Sequence, residues 1–129
     1  MNKAKLRTLL ISSDTTLKES MQKLNDTAEQ ILFVTDRDNK LLGTVTDGDI
    51  RRGLINGFKF SDKVEKVMFK QFTSFFCDEA DKKEKAERIM LRDKIEQIPI
   101  LDNKKSVVDV ILWTDIFGEK KDLENPFLN

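Results

Sequence analysis

Leu41-Leu42-Gly43-Thr44-Val45-Thr46-Asp47-Gly48-Asp49-Ile50-Arg51-Arg52-Gly53-Leu54 changes its pattern once, at Thr46, and that change decides the fold. Leu41 to Val45 is a short apolar run of strand character. Thr46 to Asp49 then supplies polar groups where a helix can begin, and Ile50, Leu54 and Ile55 give that helix a buried face. Upstream, Ile31 to Thr35 is a second β-branched and aromatic run, separated from Leu41 by the polar turn Asp36 to Lys40. Two such runs around a polar turn predict a β-hairpin. Further back, Leu17, Ser20, Met21 and Leu24 fall at i, i+3, i+4 and i+7, the apolar stripe of a helix that Asp14, Thr15 or Thr16 can cap.

The order helix, strand, strand, helix then recurs at an offset of 66 residues, the distance from Asp49 to Asp115. The strand-like Phe72 to Phe76 stands where the segment around Leu9 to Ile11 stands in the first copy. A helix carrying Ala86, Ile89 and Met90 inward follows, then Ile98-Pro99-Ile100-Leu101, the turn Asp102 to Lys105, and Val107 to Leu112. Asp36 precedes Gly43 by seven residues and Asp102 precedes Asp109 by seven, so the hairpin geometry is expected to repeat. Each copy is too small to bury its own apolar faces, and the two should pack on each other. The pattern gives an α/β (α+β) fold, with residues 1–66 as repeat one and linker, 67–120 as repeat two and 121–129 as a polar tail. Phe60 to Phe69 reads as a short helix joining the copies, with Phe58, Phe60, Phe69 and Phe72 expected in a core or interface. Trp113 and Phe117 flank the last strand-to-helix turn, where a second molecule can cover them.

The chain of 129 residues balances 23 Lys and Arg against 23 Asp and Glu, with no His and one Cys. Interspersed charge of zero net sign argues against a general grip on nucleic acid, which needs clustered cations. Without His, the usual neutral-pH base and the commonest zinc ligand are missing. Cys77 has no internal partner, and as the end of the apolar run Phe75-Phe76 it reads as a buried small residue. There is no apolar run of about 18 residues for a membrane span and no secretory signal. A reducing, cytoplasmic setting is the expectation.

Gly43 to Ile50 carries the chemistry. Glycine lets backbone approach a ligand closely, and a helix N-terminus presents free N–H groups to a phosphate. A threonine hydroxyl can bind phosphate, and an aspartate can accept two hydrogen bonds from a ribose diol. Arg51 and Arg52 follow one step on, and their forked guanidinium groups suit phosphate. The same residues also make a plain helix cap with solvated arginines, and the spacing leaves both readings open.

The internal repeat, the pattern Gly-x-Val-Thr-x-x-Asp-Ile from Gly43, and the strand with Pro99 that ends in Asp102 together resemble a tandem CBS domain pair, or Bateman module, from about Leu6 to Gly118. Leu41 to Leu54 further resembles the CBS pair ahead of sugar-phosphate nucleotidyltransferases, including those of nonulosonic (legionaminic-type) acid pathways. The resemblance implies two pseudo-symmetric repeats of β-α-β-β-α type and a homodimer. It also implies a non-catalytic regulatory module that needs no cofactor or metal and takes AMP, ADP or ATP between its repeats. A catalytic domain would begin soon after Asn125-Pro126. By the same resemblance Asp49 would hold the ribose, Thr46 the phosphate, and Thr44 and Gly48 would line the pocket, with Arg51 and Arg52 in reach of a phosphate chain. The base would lie near Phe75 and Ile95-Glu96-Gln97. In the second cleft Val110, Leu112 and Asp115 take the matching places, but Leu112 lacks the hydroxyl of Thr46 and Asp109 replaces Gly43. One competent and one degenerate site are expected.

Other strings weigh less. Asp78-Glu79-Ala80-Asp81 spells a helicase motif without any phosphate-binding loop, and reads as an acidic helix start. Asp36-Arg37-Asp38-Asn39 opens like a calcium loop but continues with Lys40 and Leu41, so a turn explains it better. Asp47 and Asp49 form an Asp-x-Asp pair, the basis of a rival magnesium-dependent hydrolase. The other rival is a dimerisation module with vestigial clefts.

Overall fold

The computed structural model describes residues 1–118. The first half runs α1 (Lys3–Thr8), β1 (Leu10–Ser12), α2 (Leu17–Asp26), β2 (Ile31–Thr35), β3 (Leu41–Thr46) and α3 (Asp47–Ile55). The second runs β4 (Phe75–Phe76), α4 (Lys82–Asp93), β5 (Gln97–Leu101), β6 (Val107–Leu112) and α5 (Trp113–Phe117). Strands order as β1-β2-β3 and β4-β5-β6, each sheet a parallel outer pair joined to an antiparallel hairpin. Among the described residues no helix is long and apolar enough to cross a membrane. The expected tail from residue 121 lies outside the described residues.

Side-chain alternation assigns each face of β2 its own core. Leu32 and Val34 pack with Leu17, Leu24, Val45 and Ile50 under α2 and α3. Ile31 and Phe33 instead join Leu6, Leu9 and Leu41 with Leu101, Val107 and Val110 of the second repeat. The expected packing of copy on copy is this shared cluster. Under α4, Ala86 and Met90 are buried with Phe75 and Ile98, at the positions that Ser20 and Leu24 hold in α2.

The hairpin turns are built alike. Asp36 Oδ1 accepts the amides of Asp38 and Lys40 at 2.9 and 3.0 Å, and Asp102 Oδ1 accepts those of Lys104 and Ser106, both at 2.9 Å. Asn39 and Lys105 both take φ 64°, the left-handed turn conformation. The would-be calcium carboxylate of Asp36 thus organises a turn. The tips meet, Leu41 N donating to Lys105 O at 2.9 Å.

Several expectations fail for physical reasons. β4 contains only Phe75 and Phe76, not Phe72 to Phe76. In the first sheet Phe33 N donates to Leu9 O at 2.7 Å, but its counterpart Pro99 has no N–H, so the ladder cannot extend the same way. The helix expected over Phe60 to Phe69 is only a 3₁₀ turn, Val64–Lys66, since Val64 must anchor in the first repeat's core. Ile55, expected on the buried face of its helix, is 76% exposed, and of the two places expected for Phe58, Phe60 and Phe69 the core is excluded, since all three are exposed. Cys77 is exposed rather than buried, just beyond the two-residue strand. α4 starts at Lys82, after the acidic run, and Asp81 makes no side-chain cap. Glu79 instead accepts Phe76 N at 2.6 Å, a bond that holds its carboxyl below the usual range. Trp113 and Phe117 stack on each other with centroids 4.3 Å apart and pack against the second repeat's core.

The linker is fixed by a glycine. Phe69 and Thr44 exchange backbone hydrogen bonds of 2.8 and 2.9 Å, laying the linker along β3. A Cβ on Gly43 would stand 2.8 Å from Phe69 O and 2.9 Å from the Met68 side chain. Gly43 therefore admits the chain's own linker, not a ligand. Its Ala variant should lose about 1–3 kcal/mol, the usual cost of overpacking, read as a lower urea midpoint.

α3 begins with a reciprocal cap. Asp49 N donates to Thr46 Oγ1 at 3.4 Å, and Asp49 Oδ2 accepts Thr46 N at 2.9 Å and Thr46 Oγ1 at 3.1 Å. Thr16 and Glu19 cap α2 the same way. Thr46→Ala should cost about 1 kcal/mol in the ligand-free chain, measured by the same denaturation.

Candidate functional site

The end of β3 and the first turn of α3 form one wall of an open cleft between the repeats. Thr44 and Thr46, two apart on a strand, share that wall with Asp47, Gly48, Asp49 and Arg51. The second repeat faces them with Ile95, Glu96, Gln97 and Pro99, and the linker adds Phe69, Gln71, Phe72 and Thr73. The space is about 760 Å³, the size of a small-molecule site. Gln97 Nε2 donates to Glu29 O at 2.9 Å, which ties the two repeats at its edge, and within the first repeat Glu29 Oε1 meets Lys5 Nζ at 2.5 Å. Gln30 and Lys94, just before β2 and β5, both line the cleft with φ 56°.

The wall carries Glu29, Asp47, Asp49, Asp93 and Glu96 against Arg51 and Lys94. Asp93 is hydrogen-bonded by Arg92 at 2.9 and 3.1 Å, which holds its carboxyl below the ordinary range. Asp49 is only 12% exposed; its Oδ1 accepts Arg52 Nη2 at 2.8 Å. Arg51 Nη1 pairs with Asp47 Oδ2 at 3.4 Å. The two aspartates weighed as a magnesium pair thus each hold an arginine, and the described residues contain no group of three acidic or Cys side chains placed to hold a metal.

Of the residues expected at the site, Thr44, Thr46, Gly48, Asp49, Arg51, Ile95, Glu96 and Gln97 are brought together. Phe75 is not: it is buried under α4 in the second repeat's core. Arg52 lies off the wall, turned to Asp49. Phe72 is the aromatic that reaches the cleft, half-buried, together with Gln71 and Thr73. The signal that could have found them is Pro99, because a strand without that N–H leaves the segment before β4 unpaired.

The second cleft is much smaller. A hollow of about 240 Å³ is lined by Leu112, Trp113 and Thr114, with Glu29 and Gln30 opposite. Val110 does not line it, being buried in the shared core with Phe33, Leu6 and Leu9. Asp115 does not line it either; its Oδ2 accepts Leu112 N at 2.8 Å, and with no hydroxyl at Leu112 the cap is only half formed. α5 has five residues where α3 has nine.

Residues 7–56 match the model of the CBS domain. An inosine-5'-monophosphate dehydrogenase of Methanocaldococcus jannaschii is 25% identical over 114 residues, covering 88% of this chain but only 22% of the dehydrogenase. The chain therefore spans about a fifth of that relative's length. Among solved structures, the CBS domains of a transcriptional regulator from Streptococcus pneumoniae superpose with a TM-score of 0.71 at 15% identity, covering 86% of this chain and 87% of that one. A CBS domain pair solved in complex with 5'-methylthioadenosine and S-adenosyl-L-methionine gives 0.68 at 22% identity, over 84% and 83%. The segment holding β3 and the start of α3 thus lies within the stretch that matches the CBS-domain model, and the chain as a whole carries the fold of a tandem CBS pair.

Proposed function

We propose that this chain is a regulatory module that binds an adenosine nucleotide in the open cleft and itself catalyses nothing. The observation that carries the reading is the convergence of Thr44, Thr46 and Asp49 with Ile95 and Gln97 around one space of about 760 Å³. Asp49 would take the ribose diol, and the start of α3 with Thr46 would take the phosphate. The base would lie between Ile95 and Phe72, which replaces Phe75 in that part. The CBS pair solved with two adenosine derivatives supports the ligand class.

Calorimetric titration with AMP, ADP, ATP and GMP tests this. One saturable adenine-nucleotide site is expected, weakened by about tenfold or more in Asp49→Ala and unchanged in Asp115→Ala. Absence of heat with every nucleotide would leave the scaffold reading. For a signal to pass, the ligand must prefer one arrangement of the repeats or of a dimer. The domain receiving it is, on the resemblance of Leu41 to Leu54, a sugar-phosphate nucleotidyltransferase.

A homodimer belongs to the same proposal. Ile55 at the end of α3 is exposed, and Met21, Asn25 and Phe60 line an open hollow beside α2. A second copy covering this face would make a closed two-fold pair. Sedimentation should show a dimer that Ile55→Asp shifts towards monomer, while a monomer at every concentration would refute it.

A further inference from the structure

The two arginines after Asp49 converge on a single point. A Cβ built on Gly48 would stand 3.2 Å from Arg52 Nη1, closer than an ordinary contact, and 3.7 Å from Arg51 Nη2, so both guanidinium groups lie over the first turn of α3 and the bare glycine leaves Arg52 room there. Arg52 is 67% exposed, yet its Nη2 is held 2.8 Å from Asp49 Oδ1. The other oxygen of Asp49 accepts both the amide and the hydroxyl of Thr46. Neither carboxylate oxygen is therefore idle before a ligand arrives. Oδ2 cannot be released without undoing the cap of α3, whereas Oδ1 is held only by a long, solvated side chain.

We propose that Arg52 is a displaceable stand-in for the ribose diol, and that ligand binding moves its guanidinium from Asp49 Oδ1 to the ligand's 5'-phosphate. This rests on the reading that Asp49 receives the ribose. The exchange makes charge preference a property of one residue. An uncharged nucleoside must break the Arg52–Asp49 pair and offers Arg52 only water in return. A nucleoside monophosphate breaks the same pair but supplies a doubly hydrogen-bonding anion in its place. Arg51, paired with Asp47 at 3.4 Å, stays where it is and adds a second positive charge beside the same point. Gly48 is the third part of the device, since a side chain there would crowd Arg52 in its resting position.

The test is calorimetry of the full chain with adenosine and with AMP, comparing the native protein with Arg52→Ala and Arg52→Lys. Freed from competition, Asp49 in Arg52→Ala should bind adenosine about two- to fivefold more tightly, the scale of an exposed ion pair. AMP should bind about tenfold more weakly, the scale of one charge-assisted hydrogen bond lost. The native preference for AMP over adenosine should thus shrink by about twentyfold or more, with Arg52→Lys between the two. Circular dichroism should stay unchanged, because the side chain is exposed. AMP weakened with adenosine no tighter would make Arg52 a general attractor for anions and overturn the exchange, as would an unchanged ratio of the two affinities. If the native chain bound neither ligand, the nucleotide reading would fall as well.

Discussion

Two sheets of three strands, each carrying one helix-covered face, cannot stand apart in water, and the structure follows from how they share their other faces. Phe33, Leu9 and Leu41 have no second layer within their own repeat; Leu101, Val107 and Val110 provide it. Joining two pseudo-symmetric units face to face buries the middle of each sheet, where apolar residues sit. It leaves the polar strand-to-helix corners at the margins, one for each repeat. The clefts are what remains when two twisted surfaces meet over a limited area. The proposed site lies there because the corners end in backbone N–H groups and short polar side chains that the core could not accept.

The two margins would be alike if the repeats were alike, and one pair of matching residues separates them. Phe33 donates its amide to Leu9 and keeps the chain before β1 beside the sheet, where α1 sends Leu6 and Leu9 into the shared core. Pro99 has no amide hydrogen to give. The chain before β4 is left out of the ladder, and Gln71, Phe72 and Thr73 become a wall of the open cleft. The linker reaches that position only because Gly43 lets Phe69 pair with Thr44. Opposite it, Asp109 stands where Gly43 stands, and Leu112 where Thr46 does. The departures that make the second cleft poor in donors are thus accompanied by a backbone difference that makes it small.

Much of this was legible in the chain. Ile31 to Thr35 and Leu41 to Thr46 declare a hairpin by composition, and the offset of 66 residues carries the assignment to β5 and β6. Thr44, Thr46, Asp49, Ile95 and Gln97 could be grouped because a repeat supplies long-range neighbours that local pattern never does. What failed had no periodic signal. Phe75 and Phe72 differ by three positions in a run rich in aromatics, and only the missing amide of Pro99, on a strand far along the chain, decides which of them is paired and buried. Ile55 and Cys77 look interior by hydrophobicity, yet each lies at the end of an element, where the fold offers no cover. Gln30 and Lys94 adopt left-handed backbone that their side chains do not advertise.

Asp49 shows why a cap and a candidate binding residue are hard to tell apart in the sequence, since one carboxylate is placed for both. Its Oδ2 fixes the first turn of α3 through Thr46, and that bond holds the other oxygen at the cleft. A group with no structural task would have to be ordered by the ligand itself, at an entropic cost borne by affinity. Here the helix cap has already ordered it. In the second repeat Asp115 accepts one amide, that of Leu112, with no hydroxyl beside it, and α5 ends after five residues at Gly118, which takes φ 78°. Leucine in place of threonine thus removes a hydroxyl from the corner and half of a helix cap in one step.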